Sequence, residues 1–315
     1  MDPLLVIILG PTGSGKTSLS LKLAEQFAGE IVSCDSVAVY REFEIGTAKP
    51  SKEERARIPH HLIDVARPAQ EFTAGDYSRV ARKTIVEIRD RGKVPIVAGG
   101  TGLYLRALID GLFEGPSRSE QLRIRLRRRA DQTTIRHLHR VLTRLDPDAA
   151  AKIHPNDTPK LIRAIEVCLL AKMPLTEVHR SGRAPLQGWQ VLKIGLAPER
   201  EALYARIQAR TDAMLANAWL EEVRALLHAG LPENAKPFDF IGYRELREVL
   251  RGRIGMDQAS VAIQQSTRRY AKRQITWFRR EPAVHWLAGF GDQAEVQRYA
   301  LAWLKSQGLT QHVSA

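Results

Sequence analysis

Apolar and polar positions follow two different periods along this chain, and their order implies an architecture before any chemistry is considered. Leu4 to Leu9, LLVIIL, is a continuous apolar run without polar alternation and too short to cross a membrane. It predicts a central strand buried on both faces of a parallel sheet. Leu19, Leu21, Leu23 and Phe27 then supply the inward side of a helix from about Ser18, closed by Gly29. Glu30 to Cys34 reads as a second strand, Phe72 to Arg91 as a helix with Tyr77, Val80, Ile85 and Ile88 on one face and Thr73 as its N-cap, and Lys93 to Ala98 as a third strand. Strand and helix alternating in this way predict an α/β fold with a parallel sheet.

Beyond about Gly115 the strand signal stops on a helical background. Asp146 to Pro159 is a proline-punctuated connection, and Pro159 starts a helix running to Leu170. Gln190 to Leu196 resumes the strand pattern, and Glu199 to His228 reads as one long helix on which Arg200, Arg206 and Arg210 share a face. The expected organisation is a catalytic core from residues 1–118 and 189–315, interrupted by an all-helical insertion over 119–188.

Where strands end, the chain carries chemistry. The first strand stops in GPTGSGKT, Gly10 to Thr17, which meets the spacing G-x-x-x-x-G-K-[ST] of a phosphate-binding loop at every position. Gly10, Gly13 and Gly15 let successive N–H groups converge on an anion, Lys16 adds a point charge, Thr17 offers a hydroxyl to Mg²⁺, and the following helix presents its positive end. The core is therefore expected to be P-loop NTPase-like, with helices flanking the sheet. The loop alone does not distinguish a nucleoside triphosphate from another diphosphate ester. Asp35 and Ser36 follow the second strand and Gly99, Gly100 and Thr101 the third, on the rim where ligands bind in open α/β sheets. An aspartate in such a place also serves as an N-cap or turn residue. His60 and His61 beside Asp64 suggest a metal only weakly, because adjacent histidines point apart.

Charge changes the picture further. The net charge is +13 with a pI near 10.0, which points to a polyanionic partner, nucleic acid before membrane. Between Arg123 and Arg144 eight arginines face one acid, Asp131. Gln264 to Arg280 holds six basic residues and no acid, interleaved with Tyr270, Trp277 and Phe278, a mixture suited to a nucleic-acid backbone and its bases. Two cysteines, Cys34 and Cys168, make neither a disulfide framework nor a zinc site, which fits a reducing, cytoplasmic setting. The phosphate loop begins too early to leave room for a signal peptide, and no apolar run approaches the ~20 residues of a membrane span.

The motifs taken together resemble the tRNA dimethylallyltransferase family, also called tRNA isopentenyltransferase. GPTGSGKT at Gly10, CDS at Cys34, IGTAKP at Ile45, HHLID at His60, AGGTGLY at Ala98, IHPND at Ile153, RAIEV at Arg163, IGYRE at Ile241 and KRQITWFR at Lys272 occur in order and span nearly the whole chain. The resemblance implies a transferase that moves the dimethylallyl group from dimethylallyl diphosphate to N6 of adenine 37, in tRNAs reading codons that begin with U. It implies Asp35 as general base and Thr101 beside the reacting centre. The prenyl donor's diphosphate would lie on Gly10, Pro11, Thr12, Gly13, Ser14, Gly15, Lys16 and Thr17 with Arg210, and Mg²⁺ on the Thr17 hydroxyl. Contacts to tRNA are implied at Asp35, Ser36, Val37 and Ala38, at Thr101 and Arg123, and at Pro159, Lys160, Leu161, Ile162 and Arg163. They continue at Phe240, Ile241, Gly242, Tyr243, Arg244 and Glu245, and at Lys272, Arg273, Gln274, Ile275, Thr276, Trp277, Phe278 and Arg279. The chain lacks the cysteine and histidine pairs of a C-terminal zinc finger, so the bacterial type is expected, and a monomer is expected because tRNA is large enough to occupy one face alone. It departs from the family pattern at Arg118 and Ser119, at Phe240, and at Ala218 where glycine is usual. A small-molecule kinase explains the phosphate loop but not the basic blocks; a non-catalytic RNA-binding protein explains the blocks but predicts no transfer.

Overall fold

The computed structural model describes residues 2–113, 115–132, 135–180 and 182–310. The chain runs through β1 (Leu4–Leu9), α1 (Lys16–Phe27), β2 (Gly29–Cys34), α2 (Lys52–Arg57), β3 (His60–His61), α3 (Ala74–Asp90), β4 (Val94–Gly99) and α4 (Gly102–Ile109). Then come α5 (Glu120–Gln132), α6 (Ile135–Leu145), α7 (Pro147–Lys152), α8 (Thr158–Ala171) and α9 (Leu175–Arg180). It closes with β5 (Gln190–Ala197), α10 (Arg200–Ala216), α11 (Trp219–His228), α12 (Tyr243–Leu250), α13 (Met256–Phe278), β6 (Val284–Ala288) and α14 (Ala294–Ser306). The chain divides into two compact units, Met1–Ile109 with Leu186–Ala315, and Asp110–Pro185.

The first unit is built on a six-stranded sheet in the order β3-β2-β4-β1-β5-β6, with every pairing parallel. β1 is apolar throughout because both its faces are covered. Leu5, Ile7 and Leu9 join Val32 and Val97 under α3 and α4, while Val6 and Ile8 join Ile31, Ile96 and Ile194 under α1 and α14. The register aligns Leu9 with Gly99 and Gly195, and Cys34 with Gly99, so the strands finish on one rim. Glycine is required at 99: a Cβ there would stand 2.1 Å from the Cys34 carbonyl oxygen. A third apolar cluster, with Phe43, Trp219, Phe238, Tyr243, Leu246 and Ile263, fastens α11 and α12 against the segment that follows β2.

The second unit has its own core, with Leu138, Leu142, Leu161, Ile162, Ile165 and Val167 inside. On α5 no residue is fully buried, and Arg125, Arg127, Arg128 and Arg129 are exposed. No described helix is long and apolar enough to cross a membrane.

Several elements differ from the sequence-based expectation. The stretch expected as one helix over Glu199–His228 is two, α10 and α11, because Ala218 takes a left-handed conformation with φ 60° and turns the chain so that Trp219 enters the third cluster. His60 and His61, to which the pattern assigns no element, form a short edge strand on β2. Pro159 is the second residue of α8, which Thr158 opens with Asp157 as N-cap.

Candidate active site

The phosphate loop leaves the carboxyl end of β1 and closes onto α1, whose N-cap Gly15 has φ 83°. Only glycine fits there, since a Cβ would lie 2.7 Å from the Gly291 nitrogen. Lys16 turns back over the loop and donates to the Pro11 carbonyl at 2.7 Å. Burial pushes its ammonium down to about 8, with Asp35 raising it again and Arg210 lowering it. Burial likewise lowers Arg210, against the pull of Asp35. Lys16, Arg210 and Asp35 thus share one electrostatic environment. The Thr17 hydroxyl, which donates to none of the described residues, lines the same cleft, of ≈ 290 Å³, as Lys16, Asp35 and Arg210.

Asp35 stands at the end of β2. Its Oδ1 accepts from the main-chain N–H groups of Val37 at 2.8 Å and Ala38 at 3.4 Å, so the carboxylate closes its own turn. Its Oδ2 takes no hydrogen bond from the described residues. Thr101 Oγ1 accepts from the Ser36 N–H at 3.0 Å and donates to Ser36 Oγ at 3.3 Å, which ties the rim of β4 to the Asp35 turn. Beneath them Cys34 is buried, and burial pushes its thiol up to about 12, far from a reactive thiolate.

A second cleft, of ≈ 340 Å³, adjoins the first and shares Thr12, Asp35, Thr47 and Arg210 with it. Its walls are largely flat and apolar, with Trp219, Phe240, Ile241, Ile263 and Tyr270, and Ser36, Val37 and Arg273 at its polar side. Tyr270 is raised above the usual phenol range by burial and by the Asp35 charge, so it is a neutral donor. The segment carrying Thr47 is clamped from α11 and α12. Glu222 Oε2 accepts from the Ile45 N–H at 2.8 Å, and the Tyr243 hydroxyl accepts from the Gly46 N–H at 3.0 Å while donating to Glu222. At its other end Lys49 donates to Asp64 at 2.6 Å.

The remaining expected contacts scatter. Leu161, Ile162, Tyr243, Gly242, Glu245 and Phe278 lie inside the protein. Burial keeps those side chains from solvent in this structure. Arg163 pairs with the buried Glu166 at 2.7 Å and donates to the Pro116 carbonyl at 3.2 Å, which makes it a brace of the second unit. Arg244 pairs with Glu245, whose other oxygen caps α12 at Gly242. Trp277 lies under the Arg106 guanidinium, 4.7 Å from its ring centroid. Pro159 and Lys160 are exposed on the second unit, where Arg123 is half-buried. Lys272, Ile275, Thr276 and Arg279 face a third cleft.

Gln274 carries a function its place in a basic run concealed. It is buried and bridges the phosphate loop to the rim of β4, accepting from the Thr12 N–H at 2.8 Å and donating to the Gly100 carbonyl at 2.9 Å. Ala271, Gln274 and Phe278 stand at i, i+3 and i+7, the spacing of a buried helical stripe, and that was the available signal.

The family model described as IPP transferase matches residues 38–281. The chain belongs to this family. A tRNA dimethylallyltransferase of Koribacter versatilis is 58% identical over 305 residues, covering 97% of this chain and 99% of the relative. The crystal structure of a tRNA isopentenylpyrophosphate transferase from Staphylococcus epidermidis matches at 37% identity and TM-score 0.69, over 98% of this chain and 100% of that one. A eukaryotic dimethylallyltransferase described as acting on tRNA matches at 25% identity and TM-score 0.82, over 99% of this chain and 82% of that one. The chain is accordingly a prenyltransferase on a P-loop NTPase-like fold, and the kinase reading of the phosphate loop falls away.

Proposed function

We propose that this transferase moves the dimethylallyl group from dimethylallyl diphosphate to N6 of adenine 37 in tRNAs reading codons that begin with U. The observation that supports this most is the junction of the two clefts. A cationic phosphate loop opens on one side of Asp35, and a flat, apolar slot of a size for a base on the other.

In this reading the flipped adenine enters the second cleft, at a cost of about a few kcal/mol for unstacking. As N6 forms its bond to the allylic carbon, the bond from that carbon to the diphosphate oxygen breaks, and the N6 proton passes to Asp35, whose Oδ2 accepts from no described residue. Thr101 positions this base through Ser36. The departing diphosphate gathers charge against the loop N–H groups of Gly10 to Thr17, Lys16 and Arg210. The Thr17 hydroxyl would hold a Mg²⁺, and that ion would supply positive charge beside the leaving diphosphate. The exposed arginines of α5 and α6 contact the RNA backbone, and the protein acts as a cytoplasmic monomer.

The test is a transfer assay with radiolabelled dimethylallyl diphosphate, Mg²⁺ and unmodified tRNA carrying adenine or guanine at position 37. Label in the adenine tRNA alone is expected. Label in neither, from folded protein that binds tRNA, overturns the proposal.

A further inference from the structure

The turn between β6 and α14, Gly289 to Gln293, lies outside the residues that the family model matches, yet it is seated on the phosphate loop. The Gly291 N–H donates to the Ser14 carbonyl at 2.9 Å. The contact is glycine against glycine: a Cβ on Gly291 would stand 2.4 Å from the Gly15 carbonyl oxygen, and one on Gly15 2.8 Å from Asp292 Oδ1. From behind, α14 holds the turn, with Gln293 Oε1 accepting from the Phe290 N–H at 2.8 Å and Gln297 donating to the Gly291 carbonyl at 3.0 Å. The Asp292 carboxylate is thereby fixed beside a loop whose charge is arranged for an anion.

A carboxylate in that place repels a diphosphate unless it serves a cation, and it does serve one. Asp292 accepts from both terminal nitrogens of Arg206, at 2.7 and 3.1 Å. Phe290, from the same turn, lies under the guanidinium with its ring centroid at 3.8 Å. The hydrogen bonds from Arg206 hold the Asp292 carboxyl below the usual carboxylate range. On α10 Arg206 stands one helical turn before Arg210, and both line the cleft that holds Lys16 and Thr17.

We infer that Asp292 is a positioning residue of the transferase: through Arg206 it presents a preorganised guanidinium to the diphosphate of the donor. A guanidinium carries five N–H groups and Asp292 takes two, so the others are left for phosphate oxygens. Without Asp292 the long Arg206 side chain has to be ordered anew each time a diphosphate binds. The inference rests on the use of this cleft for the prenyl donor's diphosphate, proposed above, and brings the β6–α14 turn into that task.

The experiment is a calorimetric titration of the whole protein with inorganic diphosphate and Mg²⁺, alongside thermal unfolding. Arg206→Ala is expected to weaken binding by about 10-fold. Asp292→Asn keeps the size of the side chain and leaves the bond between Gly291 and Ser14 in place. It is expected to weaken binding by about 3- to 10-fold, the cost of ordering one long side chain, with Tm unchanged within a few degrees. In the double variant Asp292→Asn should add nothing to Arg206→Ala. Arg206→Lys keeps the charge but loses the fork, should fall well short of the unsubstituted affinity, and carries the test if Asp292→Asn does not fold. Full affinity in Arg206→Lys overturns the inference. Unchanged or tighter binding by Asp292→Asn overturns it, since the carboxylate then does nothing for the anion or only repels it. Losses that add in the double variant overturn it as well, since Asp292 then acts on the loop and not through Arg206. Because diphosphate binding rather than transfer is read, a failure of prenyl transfer with these affinities intact counts only against the proposed reaction.

Discussion

Gln274 and Thr12 meet at 2.8 Å, side-chain carbonyl to main-chain N–H, although they are 262 residues apart in the chain. The other end of the same amide holds the Gly100 carbonyl at 2.9 Å. One buried side chain on α13 therefore fixes the distance between the phosphate loop and the rim of β4. The only room for it comes from a glycine, since a Cβ at position 100 would lie 2.1 Å from Gln274 Nε2. Gln274→Leu leaves a donor and an acceptor unpaired and should lower stability by about 2–4 kcal/mol. Gly100→Ala evicts the same amide, so the double variant should lose much less than the sum of the two. Thermal unfolding and the KM for the prenyl donor check this; additive losses would mean that the bridge is not a unit.

Asp35 serves two purposes that substitution can separate. Its Oδ1 closes the turn through Val37 and Ala38, a task an asparagine oxygen performs equally well. Asp35→Asn should keep the fold and tRNA affinity within a few-fold while kcat falls by about 10²–10⁴. Asp35→Ala should lose the turn in addition. Transfer by the asparagine variant at the unsubstituted rate would remove Asp35 from the proton transfer.

Lys16, with its ammonium lowered to about 8, sets a pH dependence of known sign. Its charge is present below that value and is lost above it. Affinity of the free enzyme for an unreactive diphosphate ester should therefore fall as pH rises through about 8. Arg210 lowers Lys16 and Asp35 raises it, so Arg210→Ala should move the midpoint up and Asp35→Asn should move it down. Calorimetric titrations between neutral and alkaline pH read both shifts, and a profile that none of the substitutions moves would detach Lys16 from the anion.

Ala218 is strained where α10 gives way to α11. At φ 60° an alanine costs roughly 1 kcal/mol relative to a residue without a Cβ. Ala218→Gly should therefore stabilise the protein by up to about 1 kcal/mol, seen as a rise of a few degrees in Tm with kcat unchanged. A lower Tm would show that chain entropy outweighs the relieved strain.

These residues also mark how far the sequence could be read. β1 and its loop were legible because their cause is local: a run of apolar side chains, then glycines at fixed spacing. The placement of Asp35 on the same rim followed from the strand that precedes it. The helix break at Ala218 was not legible from propensity, because alanine is a good helix former, and only the glycine usual there in the family pointed to it; the next residue, Trp219, places its ring in the space left by Gly46 and Gly242. β6 and α14 passed unnoticed since VHWLA is short, and its Trp286 is exposed at the sheet edge. Gln274 was hidden among lysines and arginines, and only its partners, both distant in sequence, reveal that it faces inward. Burial and long-range pairing are what periodicity alone does not deliver.

The arginines of the second unit make the last prediction. Arg125, Arg128 and Arg140 are exposed on α5 and α6, away from the core formed by Leu138, Leu142 and Leu161. Their replacement by alanine should leave that core and the thermal transition nearly unchanged. If each neutralises one phosphate, the slope of log K against log salt for tRNA should become shallower by about 1 per residue removed. Transfer at saturating tRNA should persist, because the described residues lining the clefts around Asp35 belong to the first unit. Equal slopes for the triple variant and the unsubstituted protein would make this face ordinary solvated surface and shift the electrostatic contribution to the first unit.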